Sequence, residues 1–116
     1  MAVQTNSQKM AQAAYEQIAE RKLDREFASF ARSFPSLVHA CGLAQAVAFA
    51  KAKNREQYLG DLAAVLKAAG HSEAASANSL ERATREHSVT AYVRLSRNAL
   101  QAAGWLKRYV EAVEQK

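Results

Sequence analysis

Apolar positions along this chain recur every three or four residues, and no segment alternates as a half-buried strand would. The first stripe is Met10, Ala14 and Ile18, flanked by Ala11 and Tyr15, and it predicts a helix from about Thr5 to Lys22. Leu23, Phe27, Phe30 and Phe34 form a second stripe far round from the first. That phase jump places a break near Leu23–Asp24, with Asp24 as N-cap. The stretch FPSLVHACGLAQAVAFAKAK, residues 34–53, is apolar on nearly every side. Pro35 suits the first turn of a new helix, where its missing N–H costs nothing. Gly42 kinks or interrupts the segment before Leu43–Lys53 resumes it. A helix apolar all round is either surrounded by neighbours or spans a membrane. This one meets Lys51 and Lys53 short of the roughly 18–20 residues a span needs, so the expectation is a helix at the centre of a bundle.

Asn54 followed by Gln57 resembles a capping box, opening an amphipathic helix with Tyr58, Leu62, Val65, Leu66 and Ala69 on one face. Gly70 is its expected stop. His71 to Ser79 is small and polar and reads as a mobile loop. A short helix, Leu80 to Glu86, is supported by the Glu81–Arg85 pair, and Ser88 caps a last and longest helix running to about Glu114. There is no internal repeat and no linker. The expected architecture is all-α, a compact single-domain bundle over residues 1–116 with five to seven helices and a long C-terminal one. The aromatic group Phe27, Phe30 and Phe34 serves either its core or a contact surface.

Composition agrees: alanine, leucine and valine dominate, with one proline and four glycines in 116 residues. A chain of this size can bury a real core without metals or disulfides. Cys41, the single cysteine, excludes an internal disulfide and fits a reducing compartment. The opening residues MAVQTNSQKM lack the layout of a signal peptide, so a soluble cytoplasmic protein is expected, with no membrane contact.

Signals for an enzyme are poor. His39 and Cys41, two residues apart on a helix, point to different sides and form neither a chelate nor a nucleophile–base pair. His71 and His87 read as structural or surface residues. There is no phosphate-cradling glycine loop, Ser–His–Asp arrangement or CxxC. Neither catalysis by this chain alone nor a cofactor or metal is expected.

Charge changes the picture more. The net charge is +5, and its placement is uneven. Phe27 to Arg55 holds Arg32, Lys51, Lys53 and Arg55 without an acid, and His87 to Val110 holds Arg94, Arg97, Lys107 and Arg108 without one. On the last helix Leu95, Ala99, Ala102, Leu106, Val110 and Val113 form an apolar arc. Arg94, Arg97, Gln101 and Arg108 fall within about 60° of one another on nearly the opposite side, with Trp105 and Tyr109 between the arcs. Such a stripe can track phosphates, and Trp105 can stack on a base or an arginine. A solvated face, with Trp105 packed on a neighbour, accounts for the same pattern. Lys51, Lys53 and Arg55 likewise read two ways. They stabilise a helix C-terminus and cover apolar surface with their stems, or they add a second contact to nucleic acid.

Three runs carry a resemblance: residues 34–53, then YLGDLAAVL, and finally TAYVRLSRNALQAAGWLKRYVEAV. Pro35, the Gly42–Leu43 step with Phe49 and Lys51 or Lys53, and Tyr92, Leu95, Ala99, Leu100 and Trp105 to Arg108 resemble the small helical subunit of the type III-B CRISPR effector, the Cmr complex. The resemblance covers nearly the whole chain except the Ser72–Ala77 connector, and its motifs are signatures of helix packing. It implies a non-catalytic subunit that stacks in several copies, as a filament beside the backbone subunits holding the CRISPR RNA, with cleavage done elsewhere. Base pairing then reads sequence, and the protein reads only backbone and shape. Expected partners are the backbone and large subunits, copies of itself, and CRISPR and target RNA. Arg94, Arg97 and Arg108, together with Lys51, Lys53, Arg55 and Trp105, are expected to face nucleic acid. Rival readings are a freestanding helical nucleic-acid-binding module and a helical adaptor for an acidic protein. A helix-turn-helix over Asn54 to Glu86 is disfavoured by Glu81 and Glu86, which suit a major groove badly.

Overall fold

The computed structural model describes residues 4–114. Six α-helices follow one another: α1 (Asn6–Ile18), α2 (Arg25–Cys41), α3 (Leu43–Ala52), α4 (Glu56–Ala68), α5 (Ala77–Glu86) and α6 (Val89–Glu114), with a 3-10 turn over Ser72–Ala74. No strand occurs among the described residues. The all-α bundle with a long C-terminal helix is therefore as expected.

Local chemistry explains most of the boundaries. A capping box opens α1: Thr5 Oγ1 accepts from the Gln8 N–H (3.1 Å) and the Gln8 side chain accepts from the Thr5 N–H (2.8 Å). Asp24 caps α2 by accepting from the Phe27 N–H at 2.6 Å, as the phase jump predicted. The helix then runs straight through Pro35, which does not start a new one. Its buried face (Phe27, Ala28, Ala31, Phe34, Val38) continues at helical spacing on both sides of the ring. Burial there offsets the one intrahelical bond that proline removes. The break comes at Gly42, whose φ of +86° favours glycine. Beyond it the Tyr92 hydroxyl from α6 accepts the Ala44 N–H at 3.0 Å, capping α3.

Asn54 does not open α4 with a capping box. With φ of +58° it closes α3 instead: Arg55 N–H bonds to the Ala50 carbonyl and Asn54 N–H to that of Lys51, a Schellman pattern in which asparagine stands for glycine. Gly70 closes α4 in the same way. The segment after it is not a loop throughout. The 3-10 turn follows, Ala74 is buried, and α5 begins at Ala77 behind a capping box between Ser76 and Ser79.

The centre is α4, not α3. Helix α4 packs against α1, α3, α5 and α6 and buries Tyr58, Leu59, Leu62, Ala63, Val65 and Leu66. Helix α3 buries Leu43, Ala46, Val47 and Ala50 and leaves Gln45, Ala48, Phe49 and Ala52 exposed. Phe27, Phe30 and Phe34 converge on Tyr58, with ring centroids 4.9–6.1 Å away, so this aromatic group serves the core. Asp61, on α4 and only 5% exposed, holds Arg21 in a two-pronged ion pair at 2.9 and 2.6 Å. Among the described residues no helix is long and apolar enough to cross a membrane.

Candidate nucleic-acid interface

Helix α6 is fixed at both ends. Ser88 receives the Tyr92 N–H on its carbonyl and the Ala91 N–H on its hydroxyl, and Glu114 pairs with Arg32 of α2. Between these anchors Leu95, Ala99, Ala102, Ala103, Leu106 and Val110 are buried. The opposite side is thereby turned to solvent. Arg94, Arg97, Gln101 and Arg108 are all exposed on it. Among the described residues none of these three arginines forms an ion pair. Trp105 is half-buried and stacks on Tyr109 (centroids 6.0 Å, 19° between planes), which meets Tyr15 edge-on at 5.7 Å. Trp105 thus packs on a neighbour while bordering a shallow cleft with Ser7, Gln101, Gly104 and Arg108.

The second group of cations is more occupied than the sequence suggests. Lys51 donates to Asn78 Oδ1 at 2.6 Å and lies 3.9 Å from Glu56. Arg55 pairs with Glu26 at 2.9 Å and lies 6.0 Å from the Phe30 ring centre. Lys53 is exposed, with its ammonium 5.6 Å from the Phe49 ring centre. Two of the three cations are therefore held by neighbours, and Lys53 extends over an aromatic face.

Two of the three histidines, His71 and His87, do structural work. His71 is buried, and its Nε2 accepts from the Asn98 amide at 2.7 Å. That fixes the proton on Nδ1, which donates to Glu73 at 3.1 Å. The same carboxylate oxygen meets His87 Nε2 at 3.2 Å, tying the connector to α6 and to the end of α5. Partial burial pushes the Glu73 carboxyl up, but its own backbone hydrogen bond and those from both histidines outweigh it and hold the group below the usual carboxylate range. Sequence spacing held no sign of this cluster, because Asn98 and His87 arrive from elements that only the fold brings together. His39 is exposed, and Cys41 directs its thiol to the Leu37 carbonyl at 3.2 Å. Among the described residues no three His, Cys, Asp or Glu side chains converge on a metal-sized site.

Residues 6–113 match the family described as CRISPR-associated protein (Cas_Cmr5). A protein of Thermus thermophilus named CRISPR system Cmr subunit Cmr5 is 38% identical, over 96% of this chain and 97% of its own. The crystal structure of a CRISPR-associated Cmr5 family protein, also from Thermus thermophilus, superposes with a TM-score of 0.81 at 36% identity, covering 94% of this chain and 97% of that one. A match spanning nearly every described helix, in sequence and in fold, means that the chain belongs to the Cmr5 family of CRISPR-associated proteins.

Proposed function

We propose that this chain is a non-catalytic structural subunit of a type III-B Cmr ribonucleoprotein in antiviral defence. It stacks in several copies beside the backbone and large subunits, and its basic helix faces contact the backbone of guide and target RNA. The Thermus relative's name, a subunit of a Cmr system, supports the assembly. The observation that carries the RNA contact is the α6 arc, three exposed arginines unpaired among the described residues. Arginine forks suit phosphate oxygens, and reading a backbone needs no base-recognition module. Trp105 extends this contact, and Lys53 adds a second one on another face. Lys51 and Arg55 join it through the donors that Asn78 and Glu26 leave free.

Stacking is supported by two apolar clefts with unlike linings. One, of about 280 Å³, is lined by Tyr15, Ala19, Tyr109 and Val113 with Glu20 at its edge. The other, of about 390 Å³, is lined by Val38, Leu43, Val93 and Leu100 with His39 beside them. Unlike surfaces of this kind suit a head-to-tail contact.

The test replaces Arg94, Arg97 and Arg108 by glutamine in the assembled complex and measures target RNA binding against salt. The expected outcome is weaker binding with the salt slope reduced by about 2–3. An unchanged slope would place the arc away from RNA.

A further inference from the structure

We propose that Phe49 is a stacking platform for one unpaired base of single-stranded RNA, a reading that rests on the nucleic-acid role above but uses a different face of the molecule. Phe49 is 43% exposed, the one large hydrophobic side chain that α3 presents to solvent. Its ring does not hang free. It lies parallel to Phe30 (6.4 Å between centroids, 7° between planes), and Phe30 stands edge-on to buried Tyr58 at 5.3 Å. A ladder of three rings thus runs from the core to the surface and holds the outermost one rigid.

The surroundings fit a flat, anionic ligand. Ala48 beside Phe49 and Ala52 three residues on are exposed and too short to fence off a planar group. Exposed Gln45, one turn back on the same face, brings an amide that can reach the edge of a base. The cation nearest the ring, Lys53, forms no ion pair among the described residues and lies over the Phe49 ring instead. The two nearby carboxylates, Glu26 and Glu56, are engaged by Arg55 and Lys51. An exposed cation–ring contact is the weaker partner for an aromatic face, and a stacked base is the stronger. The base therefore displaces Lys53 from the ring, and the freed ammonium meets the phosphate beside that base. A paired base hides both faces in its duplex, so the platform selects unpaired RNA.

The test uses the full chain and a 12-nucleotide single-stranded RNA carrying 2-aminopurine, with the matching duplex as control. Phe49→Leu keeps an apolar surface but removes the ring. It is expected to bind the single strand about tenfold more weakly, to lose the fluorescence quenching, and to keep the wild-type salt slope because no charge changes. Phe49→Trp is expected to restore both affinity and quenching. Circular dichroism checks that each variant is folded. Wild-type binding by Phe49→Leu, or no binding of single strands by the wild type, overturns the proposal. If Phe49→Leu binds normally while the triple arginine variant binds weakly, the platform fails and the arginine reading survives. If Phe49→Leu binds normally and Phe49→Glu no longer co-purifies with other subunits, the face belongs to a protein partner and the proposal is overturned.

Discussion

Helices α3 and α4 differ in the direction opposite to their composition. Helix α3 is the more apolar, with Lys51 as its only charge, yet it packs one face inward and leaves the other in water. Helix α4 carries Glu56, Asp61 and Lys67, yet four helices surround it and even Asp61 is buried. Hydrophobicity says how much burial a helix tolerates, whereas the neighbours decide how much it receives. The two polar groups buried inside α4 fare differently. Asp61 is matched by the Arg21 fork, although burial still pushes its carboxyl above the usual range and Arg21 offsets only part of that. Tyr58 buries its hydroxyl with no hydrogen-bond partner among the described residues, and burial, with the charge of Asp61 behind it, pushes that hydroxyl far above its ordinary titration range.

The contrast yields a graded set of outcomes. Leu62→Ala, at the middle of α4, is expected to lose about 3 kcal/mol in urea denaturation; a loss below about 1 kcal/mol would remove α4 from the centre. Arg21→Met strands the Asp61 carboxylate and is expected to cost about 2–3 kcal/mol at pH 7. Without its partner the folded Asp61 pKa rises further above the unfolded value. The neutral carboxyl is then tolerated below the unfolded pKa, and the penalty grows as pH rises through the folded one. Denaturation near pH 4 should therefore show a smaller loss than at pH 7, and equal losses would mean that Asp61 is already matched by other groups. Tyr92→Phe takes the acceptor from the Ala44 N–H and is expected to cost about 1 kcal/mol, read from the denaturation midpoint. Ala48→Glu, on the open face of α3, is expected to stay within about 0.5 kcal/mol of the wild type; a large loss would show that this face is covered.

Much of this was legible in the sequence where one residue type has one strong local meaning. Asp24, Gly70, the Glu81–Arg85 pair and the apolar arc of α6 were all placed correctly because each acts within a turn or two of itself. Pro35 and Asn54 misled because each has two helix-compatible roles. Proline fits a first turn or, with sufficient packing, an interior, and asparagine fits an N-cap or a left-handed C-terminal residue. The ranking of α3 over α4 failed because it rested on hydropathy with no knowledge of the neighbours. At the candidate interface the exposure of Arg94, Arg97 and Arg108 followed from helical phase, but the partners of Lys51 and Arg55 did not. Asn78 and Glu26 lie 27 and 29 residues away along the chain.

The reach of α6 gives its arginines an electrical independence. From Arg94 to Arg108 the helix axis advances about 21 Å, whereas the field of an exposed charge fades over about 8 Å at physiological ionic strength. Arg94 and Arg97, about 4.5 Å apart along the axis, act on an approaching anion together, and Arg108 acts with its neighbour Lys107. An anion settling at one end of the helix barely alters the potential at the other. Against an anionic partner the arc would therefore act as two separate contacts whose contributions add, so that losing either would leave the other at full strength.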